Sequence, residues 1–70
     1  MKIVSSKEFG NEIRKKRKEM GYTQAFLSDV SGFSVSFISD VENGKPTVEL
    51  EKVLRLANLL ALDFMLISRG

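Results

Sequence analysis

Gly21, Gly32, Gly44 and Pro46 cut this chain of 70 residues into short pieces, and that punctuation limits the architecture more than any other feature. Glycine and proline belong between periodic segments rather than inside them. No piece is long enough for a coiled coil, and no repeat, low-complexity tract or linker stands out. The pieces read as four helices and a tail, within one domain spanning residues 1–70.

The first helix is predicted from Ser6 to Met20. Ser5 and Glu8 have capping-box spacing, Phe9, Ile13 and Met20 form one stripe, and Gly21 supplies a left-handed stop. The second is predicted from Gln24 to Ser31, capped by Thr23, with Leu27 and Val30 facing inward beside Phe26. The third runs from Val35 to Asn43, with Ser34 as its cap. Its apolar face is Phe37, Ile38 and Val41, and its opposite face is Val35, Ser36, Ser39 and Asp40. Gly44 ends it, and Lys45-Pro46 prevents a restart. Thr47 caps a fourth helix from Val48 to Leu60, whose buried stripe is Leu50, Val53, Leu54, Ala57 and Leu60. The helical part is therefore expected over residues 6–60.

Leu56 and Leu59 fall outside that stripe, toward a second face that a small domain does not easily cover. The tail 62–68 is apolar and too short for periodicity to separate helix from strand. It is read as a strand, with Leu62, Phe64 and Leu66 on one side and Met65 and Ile67 on the other. A strand buried on both faces needs a pairing partner. Lys2-Ile3-Val4 is the one other extended apolar piece, so the same strand of a second subunit is the better candidate. The expected dimer interface is Leu56, Leu59, Leu62, Phe64, Met65, Leu66 and Ile67. A chain this short buries only about 60% of its unfolded surface, which makes a second subunit useful.

Composition removes whole classes of function. Cysteine and histidine are both absent, which excludes disulfides, thiolate or imidazole metal sites and histidine-based catalysis. Asp29, Asp40, Asp63 and the glutamates are scattered, and no nucleophile–base pair or phosphate-binding glycine loop is present. Neither an enzyme nor a cofactor is expected. The net charge is only +2, but Arg14, Lys15, Lys16, Arg17 and Lys18 form one basic run, more informative than the total. Arg14, Lys15 and Lys18 point away from the apolar stripe, and Lys16 snorkels beside it. No signal-peptide pattern opens the sequence, and no apolar stretch reaches the ~20 residues of a membrane span. The reading is a cytoplasmic protein that does not engage a membrane.

Two short helices joined through Gly32-Phe33-Ser34 have a helix-turn-helix layout. The second presents a small polar outer face, suited to a DNA major groove that admits one helix.

The residues Thr23-Gln24-Ala25-Phe26-Leu27-Ser28, Ser31-Gly32-Phe33-Ser34, Ile38-Ser39 and Glu42-Asn43-Gly44-Lys45, with Arg17 and Gly21 upstream, resemble the lambda-repressor-like, XRE-type helix-turn-helix family without gaps from about Ile13 to Leu60. Gly44-Lys45-Pro46-Thr47-Val48, Leu50-Glu51-Lys52-Val53-Leu54 and the apolar tail resemble the HipB-type antitoxins within it. The resemblance implies an all-α bundle of four helices with a short C-terminal β-strand that pairs across a homodimer. It implies a palindromic double-stranded DNA operator, a HipA-like kinase toxin as partner and repression of the pair's own operon. Gln24 is then a phosphate contact at a helix N-terminus. Val35, Ser36, Ser39 and Asp40, with the cap Ser34, occupy base-facing positions. Asn43, Gly44 and Lys45 form a cap whose lysine and backbone amides bind phosphate. Arg17 and Glu42 form a partly buried ion pair between the first and third helices. Asp40 replaces the amide common in phage repressors; it accepts from cytosine N4, pairs with a neighbouring base, or faces away. Two alternatives stay open: a stand-alone or phage-type repressor, and an interaction module that neutralises a kinase-like partner.

Overall fold

A computed structural model describes residues 2–70. It contains four helices, α1 (Ser6–Glu19), α2 (Gln24–Ser31), α3 (Val35–Glu42) and α4 (Leu50–Leu59). The first three begin at side-chain caps. Ser5 Oγ accepts from Glu8 N at 3.1 Å, while the Glu8 carboxylate reaches back to Val4 N at 2.8 Å. Thr23 accepts from Phe26 N and Ser34 from Phe37 N, each at 3.0 Å. Each hydroxyl satisfies an amide that helix geometry leaves without a partner.

The turn between α2 and α3 is closed by serines and a left-handed glycine. Ser28 Oγ donates to Phe33 O at 2.6 Å, Ser31 Oγ accepts from Phe33 N at 3.1 Å, and Gly32 has φ 79°. Phe33 and Phe37 stack at 5.0 Å between centroids, with the Arg55 guanidinium 5.5 Å from the Phe33 ring. The turn is thereby braced against α4.

The core is Ile13, Leu27, Ile38, Val41, Val53, Leu56, Ala57 and Leu60, with Phe9, Met20, Tyr22, Phe33, Phe37, Val48 and Leu62 packed around it. It holds α3 against α1 and α2. Gly10, in the middle of α1, lies directly against the carbonyl oxygens of Val41 and Glu42 at the end of α3. The two backbones touch there because position 10 has no side chain.

Several expectations need correction. The fourth helix starts at Leu50, not Val48, and its N-cap is Glu49 without a side-chain hydrogen bond, rather than Thr47. Its buried face is Val53, Leu56, Ala57 and Leu60, so Leu50 is 69% exposed and Leu56 fully buried. Leu56 therefore belongs to the core of the protomer and is not available to a dimer interface. The leucine-rich segment supports two neighbouring stripes at helical period, and packing selects the one centred on Leu56. In α2 Leu27 is buried, but Val30 is exposed.

The C-terminal strand is absent among the described residues: 62–70 run on without regular structure. A strand exists only through hydrogen bonds to a neighbour, and Lys2-Ile3-Val4 does not supply them. Instead α4 closes on Ala61 in the left-handed region at φ 59°. Leu62 N returns to Ala57 O at 2.9 Å. Phe64 then lies against Phe9, 5.4 Å between ring centroids. Met65, Leu66 and Ile67 are exposed. No described helix is long and apolar enough to cross a membrane.

Candidate nucleic-acid interface

Glu42, in the last turn of α3, is the point where the helices are tied together. Its carboxylate is 2% exposed and receives a two-pronged grip from Arg17 of α1. Arg17 Nε donates to Oε2 at 2.7 Å and Arg17 Nη2 to Oε1 at 2.9 Å. The remaining guanidinium nitrogen donates to Tyr22 O at 2.8 Å. Two further donors converge on Oε1: Arg14 Nε at 3.3 Å and Gln24 Nε2, from the first turn of α2, at 3.2 Å. No buried side-chain nitrogen or oxygen among the described residues lacks a partner. A buried, bidentate arginine–carboxylate pair has one good geometry, so the cluster sets the angle of α3 to both α1 and α2.

The electrostatics follow from this crowding. Burial pushes the Glu42 carboxyl upward. The hydrogen bonds from Arg17 and Gln24, the Arg17 charge and the Arg14 hydrogen bond outweigh it and hold the group below its ordinary value. The hydrogen bonds that Arg17 donates to Glu42 raise the pKa of its guanidinium despite its own burial.

On the outside of this cluster, Ser34, Val35 and Ser36 are exposed along the start of α3, and Ser39 and Asp40 are half-buried one turn later. This is a rigid rod with a small polar outer face and an anchored apolar base (Ile38, Val41). The Gln24 amide nitrogen carries two protons. One goes to Glu42 and the second remains for an external acceptor. Lys45 and Asp40 stand 3.5 Å apart with both side chains partly exposed, a solvent-screened pair that leaves both groups accessible.

The backbone amides after α3 are not open to phosphate. Asn43 N, Gly44 N and Lys45 N donate to Ser39 O, Val41 O and Asp40 O at 2.9, 3.0 and 3.0 Å. They close the helix, leaving Lys45 as the exposed cationic side chain of that loop. Arg14 is the residue that the sequence reading missed. Its guanidinium meets Glu42 and, through Nη2 at 3.0 Å, Asn43 Oδ1. The available signal was its position three residues before Arg17, on the same side of the helix.

Of the residues expected at a dimer interface, Leu59, Phe64, Met65, Leu66 and Ile67 lie on the surface, while Leu62 is half-buried against the core. Leu59 is 50% exposed on α4, and Met65, Leu66 and Ile67 are exposed along the tail.

A helix-turn-helix family model matches residues 13–67. An uncharacterized HTH-type transcriptional regulator of Sinorhizobium fredii is 33% identical over 69 residues, covering 99% of this chain and 91% of the relative. The ImmF control region 10 kDa protein of Bacillus phage phi105 is 33% identical over 61 residues, covering 87% of this chain and 68% of that protein. Among solved structures, HipB in the HipB–O4 20mer complex superposes with a TM-score of 0.87 at 26% identity, covering 100% of this chain and 99% of that one. The HipA–HipB–O2–O3 complex gives a TM-score of 0.88 at 26% identity, with 100% and 99% covered.

Proposed function

This chain belongs to the XRE-type helix-turn-helix family of DNA-binding regulators, and from that premise we propose that it is a cytoplasmic transcriptional repressor, the autoregulating antitoxin of a HipBA-like operon. In this reading a homodimer places one α3 in each of two major-groove half-sites of a palindromic operator, roughly 34 Å apart. Repression follows from occupancy, and a HipA-like kinase is the protein partner.

The observation that carries the reading is the outer face of α3, small and exposed, on a helix whose base is buried and whose end is clamped through Glu42. Ser34, Val35, Ser36 and Ser39 face the base edges, and Gln24 and Lys45 face phosphates on either side. The antitoxin assignment is supported by the resemblance to HipB, which is found in complexes with O4 and with HipA and O2–O3.

The test is selection of random duplex DNA on the purified protein, with mass measured in parallel. Gln24→Ala and Lys45→Ala are expected to weaken binding to all sequences alike, and Lys45→Ala, which removes a charge, to lower the salt slope by about one unit as well. Unchanged affinity in both variants rules out this docking face.

Dimerisation through side-chain packing of Leu59 and the residues after Leu62 makes a separate prediction. Removing residues 63–70 halves the mass in sedimentation, and an unchanged mass takes the tail out of the interface. The interaction-module reading is favoured by the exposure of Leu59, Met65, Leu66 and Ile67, and absence of salt-dependent duplex binding by the intact protein would support it over the repressor.

A further inference from the structure

A chain of hydrogen bonds runs from α1 to the outer face of α3. Arg14 Nη2 donates to Asn43 Oδ1 at 3.0 Å, and Asn43 Nδ2 donates to Ser39 Oγ at 3.2 Å. The direction of the chain is set by chemistry. A guanidinium has only donors, so the amide atom facing it must be the oxygen. The amide nitrogen is then turned toward Ser39, whose hydroxyl receives there. A serine hydroxyl has one proton and two lone pairs, so once a lone pair is engaged by Asn43 the proton is directed elsewhere. Ser39 is half-buried and its helix neighbours Val35, Ser36 and Asn43 are exposed, so its proton is free to turn to the face the proposed function assigns to base edges.

We infer that Arg14 is a positioning residue for sequence reading: acting through Asn43, it fixes Ser39 as a hydrogen-bond donor. This inference rests on the DNA-reading role proposed above and deepens it. A donor at this point of the helix favours a base edge that presents an acceptor in the major groove, namely guanine N7 or O6, adenine N7 or thymine O4. It disfavours cytosine, whose N4 is itself a donor. Without Arg14 the Asn43 amide is free to rotate by half a turn. Its oxygen then faces Ser39, the serine proton turns inward, and the outward preference is lost.

The experiment uses the full chain and the best duplex from random selection, varied one base pair at a time. At one position the wild type is expected to prefer an acceptor base over cytosine by about three- to tenfold, the scale of a single groove hydrogen bond. Ser39→Ala flattens that position. Arg14→Met flattens the same position and no other, and the double variant adds nothing further. Arg14→Lys, whose ammonium still donates to Asn43 Oδ1, restores part of the preference.

Two outcomes overturn the inference. If Arg14→Met lowers affinity evenly across all sequences, Arg14 is a backbone contact. If it flattens every contacted position and lowers the melting temperature, Arg14 acts only by holding α3 in place. Salt-dependent binding by the wild type keeps the proposed function standing in both cases. A wild type that binds no duplex overturns that function and this inference together.

Discussion

Arg17→Met is expected to destabilise the protein by about 3 kcal/mol, the scale for removing one partner of a buried ion pair. For a domain of this size that lowers the melting temperature by roughly 12–24 °C. The loss arises mainly from what is left behind. Glu42, 2% exposed in the wild type, would keep only the neutral Gln24 amide and the longer contact to Arg14, whose side chain is 41% exposed. Tyr22 O also loses its donor. Thermal unfolding followed by circular dichroism measures the shift, and one under about 2 °C would mean that the pair contributes nothing net.

The same carboxylate gives stability a pH dependence. Its value in the folded chain is held below the ordinary carboxylate value. The contribution is therefore complete above the unfolded-state value of about 4.3 and disappears as pH falls through the lower folded-state value. Part of the acid destabilisation of the wild type is expected to vanish in Arg17→Met, because the group that shifts Glu42 is gone.

Gly10→Ala is expected to be nearly as damaging, against the ordinary preference of helices. Helix propensity alone favours alanine by about 1 kcal/mol. However, a Cβ at this position would overlap the Val41 carbonyl oxygen and come within 2.8 Å of Glu42 O. Both are backbone atoms that no rotamer change can move. Overpacking of this kind costs about 1–3 kcal/mol. With the overlap on the Val41 carbonyl oxygen at the top of that range, the net loss reaches about 2 kcal/mol, a fall of roughly 8–16 °C in melting temperature. Duplex affinity should fall with it, since α1 and the end of α3 must separate and the 2.7 Å bond from Arg17 to Glu42 lengthens. An unchanged or higher melting temperature would show that the two backbones are not in contact.

These two positions separate what was legible from what was not. The starts of α1, α2 and α3 were readable because Ser5, Thr23 and Ser34 bond amides three residues away. The α2–turn–α3 unit and its small outer face follow from residues close together along the chain. Arg17 and Glu42 were paired by resemblance to a family rather than by pattern, since nothing local joins residues 25 positions apart. Gly10, an unremarkable helix residue in sequence, is where two backbones meet. The fourth helix was located to within two residues with Val53, Ala57 and Leu60 inside as read, but Leu50 and Leu56 were exchanged, because its leucines satisfy more than one stripe.

The tail shows the same boundary from the other side. Its apolar residues suggested a strand, but extended backbone becomes a strand only when a neighbouring strand pairs with it, and no described segment does so along residues 62–70. Helix positions, caps and the polar face of α3 were written into the chain, since they depend on bonds and periodicities spanning three or four residues. The burial of Leu56, the contact at Gly10 and the convergence of Arg14, Arg17 and Gln24 on one carboxylate came from packing. Each joins segments distant along the chain, and no local pattern encodes which distant atoms will fill the same space.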